Sequence, residues 1–170
     1  MPYGKSDFKV IRVTPTLDTN AYAQGDVLFT ATEIPQAVLG NGGCSKLVGA
    51  YVFDKSASDS DILFVWTEGN TALGTINATA NISDADLLAN NICGITNLDN
   101  DAGTSSGHID NSKIHQMAPA SLGGENNDNL LLLQAADDST SVYVQGILKS
   151  ATTPTFAAAD LQLILHIQYR

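Results

Sequence analysis

Apolar and polar positions alternate in short bursts along this chain, and each burst stops at Pro, Gly or an Asn-rich turn. Residues 8–13 (Phe-Lys-Val-Ile-Arg-Val) alternate loosely with period two and end before Pro15, whose missing amide hydrogen makes continuation as a central strand costly. They predict a first strand. Residues 26–34, rich in Val, Phe and Thr, predict a second that stops at Pro35, and Asn41-Gly42-Gly43 then supplies the left-handed conformations a turn requires. Residues 44–54 and 61–67 predict two further strands, joined through the polar piece 56–60 as a hairpin-like loop. Ile62 to Trp66 is apolar without alternation, so that strand should be covered on both faces.

The one helical signal lies near 83–91. Ser83 can cap the free amides of a short helix of about two turns, with Asp84 and Asp86 in its positive first turn and Leu87 and Leu88 on its packed side. Residues 92–95 return to a strand, and 97–110 is so rich in Asp, Asn, Ser and Gly that an exposed loop is expected, a kind of segment that often does binding work. A weaker strand at 113–117 ends by Pro119, and a polar turn at 123–128 precedes the apolar run 130–133. Residues 141–148 and 161–169 complete the set, the last with Leu161, Leu163, Leu165, Ile167 and Tyr169 on one side. Eight or nine strands joined without helical crossovers predict an all-β fold: a single antiparallel β-sandwich of jelly-roll type spanning 1–170, with residues 1–7 as an N-terminal arm.

A length of 170 residues suits one domain, and a polar complement dominated by Ser, Thr, Asn and Asp favours turns and strand edges over helix interiors. Eight Lys and Arg against eighteen Asp and Glu give a net charge of -10, which repels a phosphate backbone, so nucleic acid is not an expected partner. There is no long apolar run of membrane-spanning length, and Met1 to Asp7 lacks the apolar core of a signal peptide, so no membrane association is expected. Cys44 and Cys93, far apart and outside any metal-ligand spacing, read as two thiols, and the sequence leaves their pairing open.

Chemistry is sparsely signalled. No G-x-S-x-G occurs, and His108 in a polar loop, His115 on a strand and His166 on the polar side of the last strand form no nucleophile-base pattern. Neither a zinc spacing nor a His-x-His pair is present, and Asp99-Asn100-Asp101-Ala102-Gly103 carries only the start of a calcium loop. The close carboxylate pairs Asp59 and Asp61, Asp84 and Asp86, and Asp137 and Asp138 read as turn and helix-start residues rather than as an acid and base facing each other across a cleft. Trp66 and Tyr51 lie inside apolar runs and are expected in the core. No catalytic residue, cofactor or metal is therefore expected. Lys5, Lys9 and Arg12 place three basic residues near the start of an acidic chain, a local reversal of sign suited to docking on an acidic surface, and with Tyr3 they mark a candidate interface.

Three stretches together carry a resemblance: the turn-rich connection 16–28 (Thr-Leu-Asp-Thr-Asn-Ala-Tyr-Ala-Gln-Gly-Asp-Val-Leu), the run 140–147 (Thr-Ser-Val-Tyr-Val-Gln-Gly-Ile) and 154–161 (Pro-Thr-Phe-Ala-Ala-Ala-Asp-Leu). In these and in the order of its elements the chain resembles a family of small virion structural proteins of tailed bacteriophages. The resemblance implies a head decoration, or cement, protein on the outer capsid surface, assembled in the host cytoplasm, that ties neighbouring major capsid subunits together. It implies a homotrimer at threefold and quasi-threefold positions and carries over no catalytic residues. The alternative is a receptor- or carbohydrate-binding module of a tail or head fibre, with 97–110 or 123–128 as binding loops.

Overall fold

The computed structural model describes residues 7–99, 106–117 and 131–169. Within them run β1 (Phe8–Val13), β2 (Val27–Ile34), β3 (Cys44–Asp54), β4 (Ile62–Thr67), α1 (Asp84–Ala89), β5 (Ile92–Leu98), β6 (Ser106–Ile109), β7 (Ser112–Gln116), β8 (Leu131–Gln134), β9 (Val142–Leu148) and β10 (Leu161–Tyr169). One sheet has the order β1-β10-β3-β7-β6, with β8 beside the first half of β3; the other has the order β2-β9-β4-β5. All pairs are antiparallel, and the two sheets stack face to face as a β-sandwich.

The pairing is nested. β1 lies on β10 with Phe8 opposite Gln168, and β2 lies on β9 with Val27 opposite Ile147. β3 takes β8 and β7 in turn, with Leu47 opposite Leu131 and Tyr51 opposite Gln116, and β4 lies on β5 with Ile62 opposite Leu98. Period-two alternation drives this arrangement, because each strand has one apolar side to bury. Leu161, Leu163, Leu165 and Ile167 are all buried, as the alternation of the last strand requires. Opposite them the second sheet supplies Phe29, Phe64, Trp66 and Val144. Gly146 stands in register between Phe29 on one side and Phe64 on the other, and a Cβ at that position would overlap the Phe29 ring.

β4 is covered on both faces. Phe64 and Trp66 enter the main core, while Val65 turns outward into a second cluster with Val27 and Leu73, closed over by Ile82 and Leu87 from the segment that follows β4. The indole N–H of Trp66 donates to Thr96 Oγ1 at 2.9 Å, which satisfies the one polar atom of that buried ring. Helix α1 begins as its sequence suggests, with the Ser83 hydroxyl accepting from the Asp86 amide at 3.1 Å.

Several expectations change. Residues 56–60 do not close a hairpin, since β3 and β4 belong to different sheets and the segment crosses between them. The stretch 97–110 is not one exposed loop: β5 continues to Leu98, and Ser106–Ile109 forms β6 against β7, because an edge strand tolerates polar side chains that composition alone assigns to loops. Leu88 is 80% exposed rather than packed, since successive helical residues lie about 100° apart and Leu87 already occupies the inward position. Tyr51 is turned to the outer face of its sheet, with its ring 5.2 Å from that of His166, instead of into the core. The connection before β2 contributes Tyr22, which is buried, donates to Leu28 O at 3.1 Å and stands edge-on to Phe156 at 5.9 Å. The polar turn at 123–128 and all but Asp7 of the N-terminal arm lie outside the described residues.

Candidate functional site

Buried polar side chains gather at one end of the sandwich, on inward positions of β3 and β7. Asp54 faces Lys113 across the ladder, and one step further in Val52 faces His115. The Asp54 carboxylate accepts four hydrogen bonds, from Ser56 N at 2.8 Å, Ser56 Oγ at 2.6 Å, Ser58 N at 2.9 Å and Ser58 Oγ at 3.0 Å. Ala57 and Asp59 adopt positive φ of 51° and 52°, and the bend returns Asp59 over β7, where it pairs with the buried Lys113 ammonium. A buried charge needs such a partner, and here each has one.

His115 is buried on the same side, and its Nδ1 has no hydrogen-bond partner among the described residues. Burial pulls its pKa below the ordinary histidine value; the carboxylates of Asp54 and Asp59 oppose that shift, while Lys113 and His108 reinforce it. Serine catalysis would need a hydroxyl held against this imidazole. Instead the Ser58 hydroxyl bonds Asp54, and Ser58 and Ser60 share a hydrogen bond of 2.9 Å. The cluster shapes the crossover between sheets. Among the described residues no group of three His, Cys, Asp or Glu side chains is placed to hold a metal ion.

The candidate interface residues separate. Tyr3 and Lys5 lie outside the described residues. Lys9 and Arg12 both stand on β1, but an odd spacing puts them on opposite faces. Lys9 shares the side of Ile11 and Val13 and donates to Gln36 Oε1, whereas Arg12 is exposed on the outer face with Phe8 and Val10. The two cysteines approach one residue from two sides: Cys44 is the ladder partner of Gln134, and the Cys93 thiol lies 3.7 Å from the Gln134 carbonyl oxygen. Both are free thiols, and burial raises the pKa of Cys93.

What the sequence reading misses is the company Arg12 keeps. β10 brings Ile164 beside it, and β3 brings Tyr51 beside Ile164, so three strands distant in sequence build one outer surface. The signal is present in the alternation of β10, where Ile164 is the apolar residue on the otherwise polar side. A comparison with known protein families, with curated proteins and with solved structures finds no match for this chain.

Proposed function

We propose that this chain is a decoration, or cement, protein of a tailed-bacteriophage head, bound as a homotrimer to the outer face of the capsid lattice. The observation that carries the reading is the nested pairing of β1 with β10, β2 with β9, β3 with β8 and β7, and β4 with β5. We read this nesting as jelly-roll-like, and jelly rolls recur in viral capsid domains. The resemblance in the segments around 16–28, 140–147 and 154–161 supports the same role. A trimer that engages three capsid subunits at once gains through effective concentration, so each contact can be weak while the ring as a whole holds.

The test is the copy number of this protein relative to the major capsid protein in purified particles, measured by quantitative mass spectrometry. Hundreds of copies per particle are expected, together with heads that release DNA at a lower temperature when the protein is missing. A handful of copies would replace this reading with the receptor-binding one, and none would remove the protein from the virion.

A further inference from the structure

The charges of this molecule are unevenly placed. Its carboxylates crowd into the connections: Asp18, Asp59 and Asp61, Glu68, Asp84 and Asp86, Asp137 and Asp138 all lie between strands. The six strands of the β1-β10-β3-β7-β6 sheet and β8 hold a single carboxylate, Asp54, and it points inward and is buried. Among the described residues, therefore, no Asp or Glu stands on an outward position of that sheet. The charged side chains that do are Arg12 and Lys46, in a protein of net charge -10.

The same face is unusually apolar. An antiparallel sheet with one side in water ordinarily alternates apolar inside with polar outside. Here Phe8 and Val10 on β1 are 58% and 45% exposed, and Leu132 on β8, opposite Lys46, is 52% exposed. Between these flanks Ile164 on β10, Tyr51 and Phe53 on β3 and Ile114 on β7 are half-buried at outward positions. Gln162, His166 and Gln168 of β10 share this face, so its apolar side chains gather around Ile164, with Arg12 beside it on β1 and Lys46 further along β3 against Gln168, a mixed surface on which cations steer and aromatic and aliphatic groups bind.

We propose that this outer face is the surface by which the protein docks, and that its partner is an acidic protein surface with an apolar centre and carboxylates opposite Arg12 and Lys46. The inference rests on the capsid reading, and it assigns the lattice-facing side of the molecule to the six-stranded sheet. The opposite sheet is less suited to that role, because the segment carrying Glu68, Asp84 and Asp86 is folded over part of it; Glu68 and Asp84 also line a groove with Leu132, so contact with an acidic partner centres on β1, β10 and β3, away from that edge.

The experiment adds purified protein to heads that lack it and measures binding by co-sedimentation. Ile164→Asp and the double variant Arg12→Glu with Lys46→Glu are compared with Ile95→Asp, which makes the same kind of change at an exposed position of β5 in the opposite sheet. Both face variants are expected to bind about thirtyfold or more weakly, as loss of a central anchor does, while I95D binds as the parent does. Hydroxyl-radical footprinting of the parent adds a readout that needs no variant: Tyr51 and Phe53 should become protected on the heads. Parent protein that binds while I164D binds equally well, or while Tyr51 and Phe53 stay unprotected, overturns the face assignment and leaves the capsid reading standing. Parent protein that leaves the heads bare overturns both. Sedimentation equilibrium in which I164D splits a self-associated species would give the face to a second copy instead, and duplex DNA binding lost in the Arg12 and Lys46 variant would give it to nucleic acid; either result overturns the proposal.

Discussion

At position 146 the absence of a side chain is what allows Phe29 and Phe64 to approach, with ring centroids 6.1 Å apart across a strand that separates them. Gly146→Ala should therefore cost about 1–3 kcal/mol, the range for overfilling a well-packed interior, and urea unfolding should show a lower midpoint with an unchanged slope. An unchanged midpoint would mean that the rings accommodate the methyl without strain. His115 makes a second prediction. Its folded pKa lies below the ordinary value, so the unfolded chain takes up the proton first as pH falls. The stability it contributes is complete above the ordinary histidine range and is lost as pH drops through about 6.5 toward the lower folded value. His115→Leu should flatten the loss of stability between about pH 7 and pH 5.5, and Asp59→Asn should steepen it, because Asp59 is one of the carboxylates that favour the charged ring. Urea titrations at the two pH values decide this, and equal slopes for parent and H115L would rule out His115 as the source.

The elements that announce themselves by period are those whose one side is apolar throughout. β10 begins and ends where its alternation does, and α1 starts at its capping serine, whereas β3 keeps its predicted bounds although Ser45 and Asp54 stand on its inward side. β6 was hidden because Ser-Gly-His-Ile contains nothing to bury; it is held by its ladder with β7, a tertiary fact. β7 itself inverts the simple rule. Its one aliphatic residue, Ile114, points outward, and Lys113 and His115 point in: Asp59 pairs with the Lys113 ammonium, and burial favours the neutral form of the His115 ring. No pattern in a single strand can show that, because the partners arrive from a different element. The crossover between β3 and β4 depends on the same carboxylates. Asp54→Ala removes the acceptor of four hydrogen bonds from Ser56 and Ser58 and should cost about 2 kcal/mol, with faster proteolytic cleavage in 55–60 as the local sign. Cleavage at the parent rate would show that the bend is held by its ion pair to Lys113 alone.

For the whole molecule, strand count and turn spacing made the sandwich legible, whereas the division of strands between sheets was not, as the misassigned link between β3 and β4 shows. The outer face of the six-stranded sheet was legible only in fragments for the same reason: Arg12, Ile164, Tyr51 and Lys46 are neighbours through β10 and β3, not through the chain. Nesting has one more effect. The outermost pair brings the beginning and end of the described chain together, and the Tyr169 amide donates to the Asp7 carbonyl at 2.7 Å. Drawn as connections, the protein is a ring cut once, with the cut beside β1 and β10. A short bridge across that cut and a new opening in the crossover at 55–60 would give a permuted chain that keeps every ladder while reversing which sheet is synthesised first around the opening. Asp7 and Tyr169 thus leave the sandwich from the same corner.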